Sequence, residues 1–351
     1  MLPTEFSCLL GLLAMAGLAW NPYPALEQSF HDLPPVTWDP VEQFKAFQIQ
    51  YNKSYPDAAE QQRRLEIFAD NLAWARQLTK EHRGVAQFGV TQFSDLTEKE
   101  FRQLYQPSQP SFSDPRLKMG GHPKLQRPQT RSCDWRKAGV LSPVRHQKNC
   151  KSCWAISAVG NVEALWAIRY QKNFELSVQE VLDCQRCGRG CEGGYVWDAF
   201  ITILNQSGLA KEKDYPYIDQ LSHKGCQEKK KQAWIHDFLM LPKKENYMAQ
   251  YLAEKGPITV NINSRLLQNY KKGVIRPWVN CDSKYLDHYV LLVGFGQIHN
   301  FTYWILKNSW GSSWGEKGYF RLHRGSNACG INKYPITALL EGSAPRMRCP
   351  R

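Results

Sequence analysis

The segment from Cys153 to Tyr170 is the feature that most narrows what this chain can fold into. Its apolar residues recur every three and four positions, which predicts a helix with a buried stripe. The helix begins at a cysteine, and Gln147 lies six positions upstream. Because the positive end of a helix favours a thiolate, the pattern predicts that Cys153 is an activated nucleophile rather than a core cysteine.

The spacing of apolar residues changes along the chain. Residues 41–81 and the segment after the capping box at residues 97–100 have a helical pattern. After Gly256-Pro257 the pattern is typical of strands, which are predicted at residues 258–262, 288–295, 302–306 and 318–322. A helix-rich part followed by a strand-rich part predicts an α+β fold with two subdomains and a cleft between them.

A cysteine nucleophile needs a base, and His288 is the strongest candidate among the nine histidines because it opens a predicted apolar strand. Asn308 follows the next strand and is close in sequence to Trp310. A side-chain amide that orients an imidazole, shielded by an indole, is the third part of such a site. A lone histidine is usually a core or surface residue, but the combination with Cys153 and Asn308 favours a catalytic histidine.

The order of these residues resembles that of the papain-like cysteine peptidases, through the motifs QKNCKSCW, LDHYVLLVGFG and KNSWGSSWGEKGYF. The resemblance covers about residues 40 to 340. It implies an α+β, papain-like two-subdomain fold, with a helical left subdomain, a β-barrel-like right subdomain and a cleft between them, preceded by a helical inhibitory propeptide.

The implied reaction is hydrolysis of peptide bonds through a thioester on Cys153. In the family pattern His288 is the general acid and base, Asn308 is the orienting amide, and Gln147 donates to the oxyanion. The resemblance implies no cofactor and no metal.

The chain is expected to have three parts. Residues 1–20 are apolar, are too short to span a bilayer and end in small residues, which predicts a cleaved secretory signal. The resemblance implies an inhibitory propeptide over residues 21–128 and a peptidase domain with a short C-terminal tail over residues 129–351. Residues 106–132 are rich in Pro, Ser, Gln and Gly, which predicts an exposed linker open to proteolysis. The residues that fit the propeptide motifs are Glu60, Arg64, Phe68, Asn71, Gly89, Phe93 and Asp95.

Eleven cysteines are present, and one of them, Cys8, lies in the predicted signal. The other ten are expected to lie in an oxidising compartment, where disulfides form. The resemblance implies the pairs Cys150–Cys191, Cys184–Cys226 and Cys281–Cys329, with Cys153 free. Cys133, Cys187 and Cys349 remain, so either two of them pair or one bonds a second molecule. A metal site built on Cys184, Cys187 and Cys191 is a disfavoured alternative, since secreted cysteines usually pair.

Three sequons, at Asn52, Asn205 and Asn300, are compatible with glycosylation in the secretory pathway. No segment after residue 20 is long and apolar enough to span a membrane. The family is mostly endolysosomal, and no KDEL-type ending is present. The expected compartment is therefore either endolysosomal or the endoplasmic reticulum.

The net charge of +13 is unevenly distributed. Residues 1–128 contain 13 basic and 14 acidic side chains, whereas residues 129–351 contain 32 and 18. The basic part is either a solubilising surface or a field that attracts acidic substrates, glycans or anionic surfaces. The run Lys229–Lys231 lacks the interleaved aromatic residues of a nucleic-acid platform, so no nucleic-acid partner is expected. The resemblance implies as partners peptide or protein substrates, the chain's own propeptide and cystatin-like inhibitors.

Two lysines depart from the family pattern in the motif around the nucleophile. Active members usually carry glycine at the positions of Lys148 and Lys151, where a backbone can approach a ligand closely. Lys151 would lie beside the path of the substrate. It can narrow that path or stabilise the Cys153 thiolate through its charge, and the sequence leaves both roles open.

The expected substrate cleft, which also includes Lys151 and Trp310, is altered. Tyr289 replaces a small residue after the catalytic histidine, and Asn261 replaces an apolar residue on the facing strand. Tyr195 keeps its usual place. The departures predict an endopeptidase of restricted specificity or low activity. The alternative is a protease-like binding protein whose cleft engages partners with little turnover.

Overall fold

A computed structural model describes residues 39–105, 125, 130–185, 188–276, 281–298, 301–342 and 347–351. The predicted signal, Cys187, Asn300 and most of the predicted linker lie outside these residues. Residues Pro40–Arg351 form one compact unit. None of the helices in the described ranges is long and apolar enough to cross a bilayer.

The N-terminal described region is helical. It contains the helices α1 (Pro40–Tyr51), α2 (Ala58–Glu81) and α3 (Glu98–Tyr105) and the short strand β1 (Ala86–Phe88). The helical pattern predicted for residues 41–81 is interrupted, because Asn52 takes the left-handed conformation at φ 49° and Asp57 caps the start of α2. The capping box predicted at residues 97–100 opens α3 with a reciprocal pair of hydrogen bonds.

Three helices build the subdomain that carries Cys153. They are α4 (Cys153–Tyr170), α5 (Val178–Cys184) and α6 (Val196–Asn205). Helix α4 begins and ends where the apolar pattern predicts. It is buried along most of its length because it packs against α5, α6 and the sheet.

The second subdomain is built on a twisted set of strands. They are β2 (Cys133–Asp134), β3 (Asp237–Met240), β4 (Ile258–Ile262), β5 (Tyr270–Ile275), β6 (His288–Ile298), β7 (Phe301–Lys307), β8 (Tyr319–His323) and β9 (Ile336–Leu339), with helix α7 (Glu245–Lys255) before β4. Among the described residues the order is β1-β5-β8-β7-β6-β4-β9-β3, and β2 pairs with β6. All four predicted strands are present, as β4, β6, β7 and β8, and the architecture is the α+β one expected.

Strand β6 positions the candidate site. It pairs antiparallel with β4, so that His288 lies opposite Ile262 and Tyr289 lies opposite Asn261. On its other side it pairs with β7, whose last residue, Lys307, precedes Asn308. The start of β6 and the end of β7 therefore bring the predicted base and its orienting amide to one end of the sheet.

Four disulfides join the described cysteines. Three are the pairs that the resemblance implies, Cys150–Cys191, Cys184–Cys226 and Cys281–Cys329. The fourth joins Cys133 to Cys349, two of the three cysteines whose partners the sequence left open. Cys153 alone among the described cysteines is unpaired. Since Cys184 and Cys191 have different disulfide partners, the alternative of a metal site on these residues is wrong.

Two of the three sequons lie in described residues. Asn52 and Asn205 are both exposed, Asn52 just after α1 and Asn205 as the last residue of α6. Their exposure keeps both compatible with the predicted glycosylation.

Candidate active site

Cys153 is the first residue of α4 and is fully buried in the full-length chain. Burial raises the pKa of its thiol to about 12, although backbone N–H groups of Tyr289 and Trp154 point at the sulfur and lower the pKa. In the full-length chain the thiol is therefore neutral at pH 7. The reason is that desolvation disfavours the charged form more strongly than the helix end favours it.

His288 opens β6 beside this thiol, since the backbone N–H of the next residue, Tyr289, reaches the Cys153 sulfur. Its ring is fully buried and stacks on Trp310, with centroids 4.7 Å apart and planes 23° apart. Burial lowers the pKa of His288 to about 4, while a hydrogen bond to Asn308 opposes that shift. The imidazole is accordingly neutral at pH 7.

The hydrogen bonds of Asn308 fix which nitrogen of His288 carries the proton. Asn308 Oδ1 accepts the backbone N–H of Ser309 at 2.8 Å, so this atom is an oxygen. His288 Nε2 lies 2.7 Å from the same oxygen and must donate to it. In a neutral imidazole the lone pair is then on Nδ1, which has no hydrogen-bond partner among the described residues. Nδ1 is the atom available to take a proton.

The carboxamide of Gln147 is also held in one orientation. Its Oε1 accepts from Ser309 Oγ at 2.8 Å and from Trp310 Nε1 at 3.2 Å. Its Nε2 donates to the Cys150 carbonyl at 3.3 Å, in the loop that leads to Cys153. With both acceptor contacts on the oxygen side, the N–H end faces the nucleophile loop, as a donor to an oxyanion would.

Two stretches of the chain match known sequence families. Residues 129–339 match the Papain family cysteine protease, and residues 44–101 match the Cathepsin propeptide inhibitor domain (I29). The chain belongs to the papain family of cysteine proteases. It is therefore a hydrolase that is made as a zymogen with its propeptide.

The chain is 50% identical to Cathepsin W of Felis catus over 369 residues, which cover 98% of each protein. It is similar in structure to the procathepsin L2 proteinase of Tenebrio molitor larval midgut, with a TM-score of 0.79 and 29% identity over 86% of this chain and 100% of that one. It is also similar to the bromelain protease of Ananas comosus in complex with the E64 inhibitor, with a TM-score of 0.56 and 36% identity over 60% and 100%. The papain-like fold with its propeptide region is thus confirmed.

In this papain-family protease Tyr289 on β6 lies opposite Asn261 on β4, and Tyr289 lines a pocket with Cys153. Both side chains are 1% exposed, and neither Tyr289 Oη nor Asn261 Oδ1 has a partner among the described residues. Burial raises the pKa of Tyr289, and the charges of Cys153 and Tyr195 act in the same direction. Tyr195 is half-buried before α6, its ring stacked on Trp197 at 4.2 Å.

The two unusual lysines each have an acidic partner. Lys151 Nζ lies 3.2 Å from Glu192 Oε2, and Lys148 Nζ lies 3.5 Å from Asp219 Oδ1. Lys148 takes a φ of 51°, in the left-handed region that favours glycine. Its backbone N–H donates to His146 Nδ1 at 2.9 Å, which helps to hold the strained loop.

The propeptide covers the aromatic wall next to His288. Phe93 and Phe101 meet the Trp310 ring edge-on, with centroids 5.1 and 5.5 Å away. The Gln92 amide donates to the Trp310 carbonyl at 3.4 Å. The wall that borders the His288 imidazole in this zymogen is therefore occupied by the chain's own N-terminal region.

A buried ion cluster, which no sequence motif indicated, supports the site. Glu163 on α4 forms an ion pair with Arg145 at 2.7 Å. Burial lowers the pKa of Lys307 to about 8, and the negative charge of Glu163 acts against that shift. Lys307 donates to the Ser142 carbonyl at 2.6 Å and directly precedes Asn308. Glu163 was detectable as the one charged residue inside the apolar stretch of α4. Ser309, which anchors both Asn308 and Gln147, carried no signal beyond its place in the KNSWG motif.

Proposed function

We propose that this chain is the zymogen of a cysteine endopeptidase in which Cys153 is the nucleophile, His288 the general acid and base, Asn308 the positioning amide and Gln147 an oxyanion donor. The observation that carries this assignment is the double hydrogen bond to Asn308 Oδ1. It leaves the lone pair of His288 on Nδ1. The next residue, Tyr289, contacts the Cys153 sulfur through its backbone N–H.

In the proposed reaction the Cys153 S–H proton passes to His288 Nδ1 and the sulfur attacks the peptide carbonyl carbon. The carbonyl oxygen gains the electron pair and is held by the Gln147 Nε2–H and the Cys153 backbone N–H. His288 returns its proton to the leaving amine as the C–N bond breaks, which leaves a thioester. Water, deprotonated by His288, then attacks the thioester, releases the acid and restores the thiol.

Activation is proposed to remove residues 1–20 as a signal and residues 21–128 as a propeptide, leaving residues 129–351 as the peptidase. Two observations support this division. The propeptide packs on Trp310, and the described Cys153 thiol is fully buried with a pKa raised to about 12. Opening of the cleft would return solvent to Cys153 and His288, which favours a thiolate–imidazolium pair.

Restricted specificity is part of the proposal. Tyr289 lines the pocket that contains Cys153, and Asn261 lies opposite it on β4. Each has a buried polar atom without a partner among the described residues, and Lys151 adds a charge two residues before Cys153. A buried polar atom without a partner rejects a purely apolar ligand. The same residues motivate the second candidate function, a protease-like protein that binds partners with little turnover.

The disulfides support passage through the secretory pathway. Within it we propose the endoplasmic reticulum or an endolysosomal compartment as the place of action. Cystatin-like inhibitors, which would block an open cleft of this family, are the proposed external partners beside peptide or protein substrates.

The test uses the full-length zymogen after its propeptide has been cleaved in the linker at residues 106–132. Treatment with an E64-type epoxide should modify Cys153, and a peptide library should be hydrolysed. The Cys153→Ala variant, processed in the same way, is the control and should show neither reaction. Folded protein without labelling at Cys153 would refute the peptidase assignment. Labelling without cleavage of any peptide would favour the binding protein.

A further inference from the structure

The ion pair between Lys151 and Glu192 lies close in sequence to the proposed nucleophile, since Lys151 is two residues before Cys153. Lys151 Nζ is 3.2 Å from Glu192 Oε2. The Lys151 side chain is only 18% exposed, whereas that of Glu192 is 72% exposed. The cation is thus held against the protein along its stem, while its partner carboxylate lies mostly in solvent.

Three contacts lock the loop of Lys151 to the loop of Glu192. The Cys150–Cys191 disulfide joins the residues that precede them, and the Lys151 backbone N–H donates to the Cys191 carbonyl at 2.9 Å. Further along the same loop, a Cβ on Gly194 would lie 2.7 Å from the ring of Trp154, the residue after Cys153. The ion pair is therefore fixed next to the N-terminus of α4, where the nucleophile lies.

The position of His288 indicates which half of a bound substrate lies next to this ion pair. His288 must reach the leaving amine, and its ring stacks on Trp310, so the leaving half extends along that wall. The acyl half then extends from Cys153 toward the loop of Glu192. Lys151, two residues before Cys153, is within side-chain reach of the residue that supplies the attacked carbonyl.

An ion pair whose carboxylate is mostly exposed to solvent is easily exchanged. Such pairs contribute little net free energy because water screens them, so a carboxylate on a bound substrate can replace that of Glu192. The charge of the proposed peptidase part, with 32 basic and 18 acidic side chains in residues 129–351, also favours the approach of acidic segments.

We propose that Lys151 is a specificity residue that selects an aspartate or glutamate immediately N-terminal to the hydrolysed bond. When no substrate is bound, Glu192 forms the ion pair with Lys151 instead. The proposal rests on the proposed function and names its substrate class. Lys148 offers a matched control because it is also a lysine in a glycine position near the nucleophile, but it pairs with Asp219 on another loop.

The experiment uses the processed zymogen, with active sites counted by E64-type labelling. Two fluorogenic peptides differ only by aspartate or asparagine before the cleaved bond, and the measured quantity is their ratio of kcat/KM. We expect the aspartate peptide to be preferred about threefold to fivefold, as an exposed charge contact allows. Lys151→Gln should bring the ratio to about one, Glu192→Gln should raise it, and Lys148→Gln should leave it unchanged.

Peptide binding provides a second test of the selectivity if the processed protein hydrolyses neither peptide. The Cys153→Ala variant, processed in the same way, is titrated with both peptides by fluorescence anisotropy, with and without Lys151→Gln. Tighter binding of the aspartate peptide that disappears with Lys151→Gln supports the selection even in a protein without turnover. Equal use and equal binding of both peptides, or a preference that survives Lys151→Gln, overturns it. Absence of epoxide labelling refutes only the proposed catalytic function.

Discussion

At the residue scale, two opposing effects act on the pKa of the Cys153 thiol, and solvent exposure determines which one is larger. The helix N-terminus contributes about half an elementary charge, which favours the thiolate. Complete burial acts in the opposite direction and raises the pKa to about 12. His288 is affected by the same desolvation, which lowers its pKa to about 4. The zymogen therefore holds a neutral thiol and a neutral imidazole.

A first prediction concerns the reactivity of this thiol. Iodoacetamide at pH 7 should modify Cys153 in the intact zymogen at least about a hundredfold more slowly than in the processed protein, since the thiolate is the reacting species. Mass spectrometry of the Cys153 peptide measures both rates. Equal rates before and after processing would contradict the buried neutral thiol.

A second prediction concerns Asn308. Asn308→Ala removes the acceptor that fixes the His288 tautomer, so kcat should fall about a hundredfold while KM changes much less. The readout that separates positioning from folding is the ring nitrogen NMR spectrum of His288, which should show mixed tautomers in the variant. A variant with a single tautomer and unchanged kcat would contradict the assigned role.

The sequence was sufficient to identify the candidate residues at this scale but not their protonation. Cys153, His288, Asn308 and Gln147 stand in recognisable motifs. Their pKa values depend on burial by residues distant in sequence, which no motif records. Ser309 illustrates the same limit, because its two anchoring bonds exist only once the KNSWG loop has folded over Gln147.

At the element scale, a polar cluster joins α2 to α3 in the propeptide. Arg64 donates to Glu60 at 2.6 Å, to Glu100 at 3.0 Å and to the Asp95 carbonyl at 2.7 Å. Hydrogen bonds from Arg63 and Arg64 lower the pKa of Glu60 to about 2. Desolvation raises that of Glu100, but bonds from Thr97, Arg63 and Arg64 outweigh it and lower its pKa to about 2.

Because both pKa values are depressed in the folded state, the stabilisation they give is present above the ordinary carboxyl pKa of about 4.5 and is lost as the pH falls toward about 2. Arg64→Ala should therefore lower the free energy of unfolding of the zymogen at pH 7 by about 1–3 kcal/mol, with the cost shrinking toward pH 2. Urea titrations at several pH values measure this. Lys45→Ala, which removes an ion pair exposed on both sides, is the control and should cost under about 0.5 kcal/mol. If Arg64→Ala lowered the free energy of unfolding by the same amount at every pH, the proposed role of this cluster would be wrong.

The Cys133–Cys349 disulfide ties strand β2 to the C-terminal tail, and the Asp134 backbone N–H adds a bond to the Pro350 carbonyl at 2.8 Å. We predict that peptide mapping without reductant recovers Cys133 linked to Cys349. Cys349→Ser should lower the free energy of unfolding by about 2–4 kcal/mol, because the bond closes a long loop. Recovery of Cys349 linked to Cys187 or to a second chain would refute this pairing.

Element boundaries were predictable where one pattern was strong and were not where local geometry intervened. Helix α4 follows the apolar pattern from Cys153 to Tyr170 without a break. Over residues 41–81 the same kind of pattern failed to show the interruption at Asn52, because a positive φ at one residue leaves hydrophobic spacing unchanged. The sequence also did not show the disulfide partner of Cys133, since that partner, Cys349, is set by where the C-terminal tail packs.

At the scale of the whole molecule, the propeptide becomes part of the structure that it blocks. Strand β1 extends the sheet by pairing antiparallel with β5, and Gly273 on β5 has no room for a side chain because a Cβ would lie 2.2 Å from the Val85 carbonyl. At the other end of the same region Phe93 and Phe101 pack on Trp310. The propeptide region is thus held both by backbone pairing and by the tryptophan that stacks on His288.

This two-point attachment could not be derived from the sequence. The propeptide motifs identified the region, but the partner strand and the contacted tryptophan are separated from it by about two hundred residues. Only the order of subdomains and the presence of a cleft followed from the pattern of helices and strands. Whether the cleft works as an active site depends on the chemistry of Cys153 once the propeptide has left.

Catalysis as proposed requires that Cys153 and His288 form an ion pair in the processed enzyme. The direct test is the pH dependence of Cys153 alkylation after propeptide removal, compared with the His288→Ala variant. We expect rapid alkylation of Cys153 that persists several pH units below the free-thiol pKa of about 8.5, and a variant whose alkylation rate follows that of a free thiol. If the rate in the processed protein with His288 intact rises only near the pKa of a free thiol, the ion pair is refuted.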